Sequence, residues 1–212
     1  MKKKIVLMSI AAVLTMTAII GGTLAGFNTQ SRQGKTDITT KALGIDLVGD
    51  SIAVEAYMPG AEVSVPYYVV NDVEDGYDLY TRVTIYKHWD DFTLDADKIS
   101  LYVKGTDGKA VELTADENGG SVQVNNWFIQ YADDEQIILY YARPLASGEA
   151  TEHVLDSLVV DAKIDNTYAN QKVILEIQAD AVQKIAAESS IPSEWGVYPS
   201  FDENGNIVSI AE

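Results

Sequence analysis

The two histidines of this 212-residue chain are its best candidates for binding a catalytic metal. His88 is followed at two and three residues by aspartates, and His153 directly follows Glu152. Zinc hydrolases ordinarily use three protein ligands and an activating carboxylate, most recognisably in an HExxH motif on one helix. The sequence has no HExxH, so a mixed site would have to bring both histidines together from separate elements. We predict no catalytic metal and keep a metallopeptidase as the alternative.

Nucleophilic catalysis has no recognisable sequence signature either. The chain has no cysteine that could form a thiolate, no GxSxG nucleophile elbow and no glycine-rich phosphate loop. A dispersed Ser-His-Asp triad leaves no mark in a single sequence. We therefore predict a protein without enzymatic activity and without a cofactor.

Several acidic clusters offer oxygen ligands of the kind that Ca²⁺ takes. They lie at residues 72–78, 90–97, 133–135 and 202–205. None has the EF-hand spacing, and solvent-exposed turns explain each of them. We assign no metal-binding residue, and Ca²⁺ binding at one of these loops stays open.

The first 25 residues have the three parts of an export signal. Lysines at positions 2–4 form a basic head, residues 5–20 form an apolar run, and Thr23, Leu24 and Ala25 form a small-residue site before Gly26. A helix over the run would cover roughly 24 Å of a hydrocarbon core about 30 Å thick, which is short for an anchor. We predict a helical signal peptide over residues 1–25, cleaved between Ala25 and Gly26. A retained membrane anchor is the alternative.

The remainder has the size and charge of one acidic, secreted domain. Removing 25 of the 212 residues leaves 187, and because the leader carries three lysines and no acid, the formal net charge falls from −17 to −20. A domain of this length can bury a full core without disulfides. Its negative surface repels phosphate backbones and anionic lipids. We therefore exclude nucleic acid as a partner and expect membrane contact only through the leader before cleavage.

Residues 26–42 are mostly polar and show no clear periodicity. Phe27 and Ile38 are the strongly apolar exceptions. Such a segment predicts a flexible N-terminal arm. The folded domain should then cover residues 43–212.

Alternating strands dominate this domain. Residues 62–70, 79–86 and 173–180 alternate apolar and polar side chains with the period of two expected of half-buried strands. Shorter candidates, separated by Gly, Pro, Asn and Asp turns, lie at 44–48, 52–56, 99–104, 127–131, 136–142, 155–162 and 207–210. Pro66 cannot donate to a ladder, so its strand should lie at an edge or carry a bulge there.

Helix is limited to two short candidates, residues 179–189 and 90–98. About ten short strands without long alternating helices are typical of two packed sheets. The pattern predicts an all-β, antiparallel β-sandwich with one or two short helices.

The signal region and several motifs after it match, in order, those of a known protein family. Residues 21–28, GGTLAGFN, are similar to the cleavage region read by a dedicated SipW-type signal peptidase. The further matches, in chain order, are residues 43–47, the Met58, Pro59 and Gly60 turn before the 62–70 strand, Asn71, residues 80–86, Pro144, Leu145, Gly148, Glu149, residues 154–162, Tyr168, residues 178–183, Trp195 and Gly196. Together these segments extend over most of the chain, and they resemble the TasA and camelysin family of secreted matrix proteins.

The resemblance implies a jelly-roll-like β-sandwich that is exported across a Gram-positive-type membrane and assembles into fibres of a biofilm matrix. In such fibres the arm of one subunit completes a sheet of the next, which makes Phe27, Asn28 and Ile38 the candidate donor-strand residues. An arm locked onto its own domain would argue against this route. The implied location is the extracellular matrix or the cell surface.

The resemblance also implies the partners, which are other copies of the chain, other matrix proteins and the signal peptidase. Two alternatives stay open. One is a camelysin-type secreted metallo-endopeptidase, and the other is a cell-surface adhesin that keeps its anchor.

Overall fold

The chain forms two antiparallel sheets followed by a helix and a hairpin. The structure is a computed structural model that describes residues 29–32, 44–49, 53–54, 58–74, 76–115 and 121–211. Its strands are β1 (Thr29–Arg32), β2 (Asp46–Gly49), β3 (Ala53–Val54), β4 (Glu62–Val70), β5 (Leu79–Trp89), β6 (Ile99–Lys104), β7 (Ala110–Glu112), β8 (Val122–Val124), β9 (Trp127–Ala132), β10 (Gln136–Tyr141), β11 (Leu155–Val160), β12 (Val173–Gln183), β13 (Tyr198–Phe201) and β14 (Ile207–Ala211). The α-helix, α1 (Ala187–Trp195), lies between β12 and β13.

The larger sheet has seven strands, in the order β1-β12-β5-β10-β9-β8, with β3 also paired to β12. The smaller sheet has five strands, in the order β2-β4-β11-β6-β7, and β13 pairs with β14. Each pairing is antiparallel. The prediction of an all-β antiparallel sandwich is confirmed. Within the described ranges, no helix has the length and hydropathy that crossing a bilayer requires.

The main core lies between the two sheets. Val83 of β5 and Leu139 of β10 are fully buried in one cluster with Val69 of β4 and Leu158 of β11. Burying such a side chain contributes about 1.5–3 kcal/mol. Because successive side chains of a strand point to opposite faces, the intervening residues of β5 and β10 lie on the outer face of the larger sheet.

A second apolar cluster covers part of that outer face. The rings of Tyr80 and Tyr140 pack against Phe201 and Trp195, with ring centroids 5.4 Å and 5.5 Å apart. Ile191 of α1 is also buried there. The C-terminal helix and hairpin are therefore held to the sandwich by their own small core.

β12 is longer than the sequence predicts. It runs to Gln183, and α1 begins only at Ala187, so the prediction of a helix over residues 179–189 is wrong for its first part. Alanine favours helix, but Ala179 and Ala181 are fully buried opposite β5. Packing against the sheet outweighs the local preference here.

The second helix candidate is also largely wrong. Within residues 90–98, only Ala96–Lys98 forms a helical turn, of the 3-10 type. It leads directly into β6.

Pro66 lies in a β-bulge of β4, as predicted. In the pairing of β4 with β11, Tyr67 opposes Leu155 and Ser64 opposes Ser157. Two residues of β4, including Pro66, therefore face one residue of β11. The bulge allows a residue without an N–H donor inside a central strand of the smaller sheet.

Candidate functional site

The most distinctive surface of the molecule is the outer edge of β12, which we call the β12 edge. β5 pairs with all 11 residues of β12 on one side. On the other side, β3 pairs with Val173 and Ile174, and β1 pairs with residues 178–181. Among the residues that the structure describes, no strand lies beside residues 175–177 or 182–183 on this edge. On this side, the 11-residue β12 is therefore paired only with short, discontinuous strands.

The other edge strands of the two sheets are short. β8 and β7 have three residues each, and β2 has four. Short edges offer few free N–H and C=O groups to another chain, and proteins use them to prevent unwanted pairing. The 11-residue β12 is therefore the described strand best suited to accept a further strand.

β1 comes from the predicted arm. Thr29 opposes Ala181, and Arg32 opposes Gln178, in an antiparallel register on β12 of the same chain. The arm was predicted to be loosely held and free for a neighbour, and the pairing of β1 within its own molecule argues against direct donation of a free arm. Assembly through this arm therefore requires β1 to leave its own β12 edge first. Polar residues without periodicity gave no sign of a strand, because the partner edge rather than local preference orders them.

All seven residues assigned to the N-terminal sites lie outside the described residues. These are the cleavage residues Thr23, Leu24, Ala25 and Gly26 and the donor-strand residues Phe27, Asn28 and Ile38.

A buried ion pair lies on β12 beside this edge. Asp180 Oδ2 accepts hydrogen bonds from Arg82 Nε at 3.2 Å and Nη2 at 2.6 Å. The guanidinium lies over the Trp195 ring, 5.6 Å from its centroid. Asp180 is 2% exposed, and its Oδ1 has no hydrogen-bond partner within the described part of the chain. Sequence reasoning missed this pair because residues 82 and 180 meet only through the register of β5 and β12.

Tyr80 attaches the C-terminal hairpin to the sandwich. Its hydroxyl donates a hydrogen bond to the carbonyl oxygen of Gly205, in the turn between β13 and β14. Burial, and then the negative charges of Asp202 and Asp78, raise the pKa of this phenol to about 12. The group is therefore a neutral donor under ordinary conditions.

Lys87 is a buried cation at one end of the main core. Its Nζ donates to the carbonyl oxygens of Ala96, at 3.1 Å, and Ile99. Burial lowers its pKa, although the acidic residues around this end of the sandwich oppose the shift. These contacts fix the turn before β6, which is a structural role.

The two histidines lie in different parts of the fold and have separate partners. His88 of β5 stacks on Phe92, with ring centroids 4.5 Å apart, and its Nε2 lies 3.8 Å from Glu176 Oε1. His153, just before β11, has its Nδ1 2.7 Å from Asp156 Oδ1. No set of three or more His, Asp or Glu side chains in the described ranges is arranged to hold a metal ion. The absence of a catalytic metal stays a prediction.

The described carboxylates of the acidic clusters mostly cap turns. Asp91 Oδ1 accepts from the backbone N–H and the hydroxyl of Thr93, and these two hydrogen bonds lower the pKa of Asp91. Asp202 Oδ1 accepts from the N–H groups of Asn204 and Asn206 at 2.8 Å each. The Asn206 side chain contributes most to lowering the pKa of Asp202. Such bonds order tight turns without a bound ion.

Comparisons with known proteins add little to this geometry. No protein-family model matches the chain, and no curated protein matches it. A solved structure described as AvmM, which catalyses macrocyclisation in alchivemycin A biosynthesis, is similar over 66% of this chain and 65% of its own, with 12% identity and a TM-score of 0.22. The match thus spans slightly less than two thirds of that protein. A TM-score this low supports no conclusion about fold or activity.

Proposed function

We propose that this protein is an exported, non-enzymatic structural protein that assembles into extracellular fibres by exchanging its N-terminal strand between copies. The observation that carries the proposal is the pairing of β1 with the β12 edge. A segment that fills this position in its own molecule has the sequence to fill the same position in another. Exchange of an identical element between copies is a low-cost route to assembly.

The linker length allows exchange. Residues 33–43 connect β1 to the first residues before β2. Eleven residues can extend over at most about 40 Å. This length is comparable to a small domain, so the arm can reach the β12 edge of an adjacent copy.

The geometry favours open chains of molecules over closed dimers. The donor (the arm) and the acceptor (the β12 edge) are different surfaces of one molecule. Contacts between different surfaces are heterologous, and they generate filaments when the rotation between copies does not close a ring. Each added copy then brings a new free acceptor.

The length of β12 also suits a longer donor than the four described residues of β1. In the β1 register, residues 27–35 of an incoming arm would oppose residues 183–175, which ends at the two residues paired with β3. Each backbone hydrogen bond adds about 1 kcal/mol net, and ordering each residue costs about 1–2 kcal/mol. Backbone pairing alone therefore does not favour the exchange, and the burial of Phe27, at about 1.5–3 kcal/mol, becomes decisive.

Export and the matrix role draw support from the sequence. The leader has the parts of a signal peptide, and the motifs that follow it resemble the TasA and camelysin family. We include the jelly-roll connectivity, the SipW-type peptidase and other matrix proteins as partners in this proposal.

A pair of introduced cysteines tests strand exchange directly. Arg32 and Gln178 oppose each other in the register of β1 and β12, and the chain has no native cysteine. We expect the R32C/Q178C variant of the mature chain to assemble when reduced. Oxidation of the monomer should link β1 to its own β12 and stop assembly, whereas oxidation of fibres should give a ladder of covalent multimers on a non-reducing gel.

Two controls complete this design. The single variant R32C should assemble under both conditions, because it has no second cysteine in its own chain to lock the arm. Fibres that form at the same rate from the oxidised, internally linked monomer would show that the arm is not the assembling element. Assembled protein that yields only internally linked monomers on oxidation would lead to the same conclusion.

A further inference from the structure

An exposed phenol on the larger sheet has a carboxylate directly at its hydroxyl. Tyr131 of β9 is 42% exposed, and its hydroxyl donates a hydrogen bond to Asp133 Oδ2 at 2.8 Å. Tyr131 opposes Ile138 of β10, which places its ring on the outer face of the sheet. Since β5 and β10 lie between β9 and β12, this pair is separate from the β12 edge.

The turn between β9 and β10 fixes the carboxylate through its other oxygen. Asp133 Oδ1 accepts from the backbone N–H groups of Glu135 at 2.9 Å and Gln136 at 2.6 Å. Such side-chain bonds order a tight turn by themselves. Oδ2 is not used by the turn, and it is held where it accepts from the phenol.

The protonation states of the pair suit proton transfer from Tyr131 to Asp133. The hydrogen bond to Asp133 raises the pKa of Tyr131, so the phenol keeps its proton at neutral pH. Burial acts to raise the pKa of Asp133, but the hydrogen bonds from Tyr131, Glu135 and Gln136 outweigh it and lower this pKa. The carboxylate is therefore ionised and is positioned as a base.

The other exposed tyrosines in the described ranges have no such base. Tyr77 is 53% exposed and Tyr198 is 62% exposed, both more than Tyr131. No carboxylate of the described residues accepts a hydrogen bond from either hydroxyl. Exposure and the presence of a base therefore make opposite predictions about which tyrosine reacts first.

We propose that Tyr131 is the site at which this protein is oxidised by one electron, with Asp133 as the proton acceptor, and that the tyrosyl radicals of two copies then join in a dityrosine cross-link. The biological role of this site rests on the proposed function, because fibres hold copies together outside the cell. The oxidation itself is a property of the single molecule.

The chemistry balances with a one-electron oxidant, such as a peroxidase that uses hydrogen peroxide. Each Tyr131 gives an electron to the oxidant and its hydroxyl proton to Asp133, which then releases that proton to water. A phenol that loses an electron becomes a strong acid, so even a weak carboxylate base takes the proton. Two radicals form one bond between ring carbons next to the oxygens, and the hydrogens on those carbons move to the oxygens. Two electrons and two protons leave in all, and one hydrogen peroxide takes them up as two waters.

Negative charge near the ring also favours the loss of an electron. Asp133, Asp134 and Glu135 are consecutive and exposed. Carboxylates lower the energy needed to remove an electron from a nearby group. A test must therefore separate this general charge effect from proton transfer to Asp133.

The test oxidises the mature chain with azide radicals, a small uncharged one-electron oxidant, and follows each tyrosine by mass spectrometry of its peptide. We expect Tyr131 to react at least about threefold faster than Tyr198, although Tyr198 is more exposed. D133N should slow the reaction of Tyr131 at least about tenfold, less than the typical contribution of a positioned base. The introduced amide oxygen can still accept from both turn N–H groups, so the turn is kept.

D134N is the matched control. It removes one charge at the next residue and leaves the hydrogen bond of Tyr131 intact, so it should slow the reaction by less than about threefold. If Asp133 only shaped the turn, D133N would loosen it and leave Tyr131 equally or more reactive. Equal rates at Tyr131 and Tyr198, or equal effects of D133N and D134N, would overturn the oxidation site.

The cross-link is tested on assembled protein with peroxidase and hydrogen peroxide. We expect dityrosine peptides that contain residue 131, and Y131F fibres should assemble normally with at least about threefold less dityrosine. Unchanged dityrosine in Y131F fibres would overturn the cross-link.

The two proposals fail differently. If the mature chain stays monomeric while Tyr131 reacts selectively, strand exchange between copies is wrong and the oxidation site stands. If fibres form while Tyr131 shows no selectivity, assembly stands and the oxidation site is wrong.

Discussion

The phenol of Tyr80 offers a quantitative test of how the C-terminal hairpin is held. Only 2% of the residue is exposed, and its hydroxyl donates to Gly205 in the turn of the hairpin. Burial, followed by the charges of Asp202 and Asp78, raises its pKa to about 12. The perturbation is Y80F, which removes the hydroxyl and keeps the ring that packs against Phe201.

The expected magnitude follows from linkage. Below pH 9 the natural chain should be more stable than Y80F by about 1 kcal/mol, the net value of one hydrogen bond. The folded pKa is raised above the unfolded pKa of about 10, so the unfolded state loses its proton first as the pH rises. Stability is therefore lost between about pH 10 and 12, with about 1.4 kcal/mol gone at pH 11 and about 2.7 kcal/mol beyond pH 12. Near pH 11 the natural chain should lose its advantage over Y80F.

Urea unfolding followed by tryptophan fluorescence, from pH 8 to pH 11.5, measures this difference between the two chains. Comparing them cancels the titration of the other 11 tyrosines and the general repulsion of an acidic protein, because both chains share these terms. Absorbance at 295 nm on the folded proteins provides the second measurement, in which Y80F should lack one phenol that titrates near pH 12. A stability difference that stays constant from pH 8 to 11.5 would refute the buried, hydrogen-bonded phenol.

Two further predictions concern other parts of the structure. Burial lowers the pKa of Lys87 in the folded state. The free energy of unfolding should therefore rise as the pH increases from this folded pKa to the ordinary lysine value near 10.5. In urea unfolding above pH 8, the K87M variant should lack this rise. Gly205 has φ +81°, and an added Cβ would lie 3.3 Å from Tyr80 Oη. We therefore expect G205A to lower the free energy of unfolding by more than the roughly 1–2 kcal/mol that a left-handed residue alone costs. G148A is the matched control, since Gly148 has φ +77° and nothing within 4 Å of an added Cβ. If thermal unfolding shows equal losses of stability for G205A and G148A, the proposed clash with Tyr80 is wrong.

Strands with strict alternation and clear turns were predictable from the sequence. The bounds of β4 and β6 agree with the predicted segments at 62–70 and 99–104. Period-two patterns work there because one face of each strand packs into the core, and burial dominates the energy. The bulge at Pro66 was predictable for a similarly local reason, the missing N–H of proline.

Elements that depend on distant contacts were not predictable in this way. β7, β8 and β13 have only three or four residues each, too few to show a period. α1 begins four residues after β12 stops pairing with β5, and its packing on Tyr140 is a tertiary contact. The sequence pattern near residue 180 favours helix, and only the neighbouring strand decides against it.

The candidate site was likewise predictable only where it depends on local sequence. The polar arm and its position after the leader were visible in the sequence, whereas the acceptor edge was not, because an edge is defined by which strands are absent beside it. The pairing of Arg82 with Asp180 depends on the register of two strands almost one hundred residues apart. A single sequence carries no record of that register.

In the proposed mechanism, the position of β1 relative to the predicted leader links export to assembly. Only residues 26–28 separate the predicted cleavage site after Ala25 from Thr29, and three residues extend over at most about 11 Å. While the leader stays in the membrane, β1 is held close to the bilayer, and any molecule that accepts it must bring its own β12 edge there. The domain's own edge is tethered nearby and has the higher effective concentration. Under the proposed mechanism, pairing within the molecule therefore protects the long edge during export, and cleavage is the step that makes the arm available to other copies.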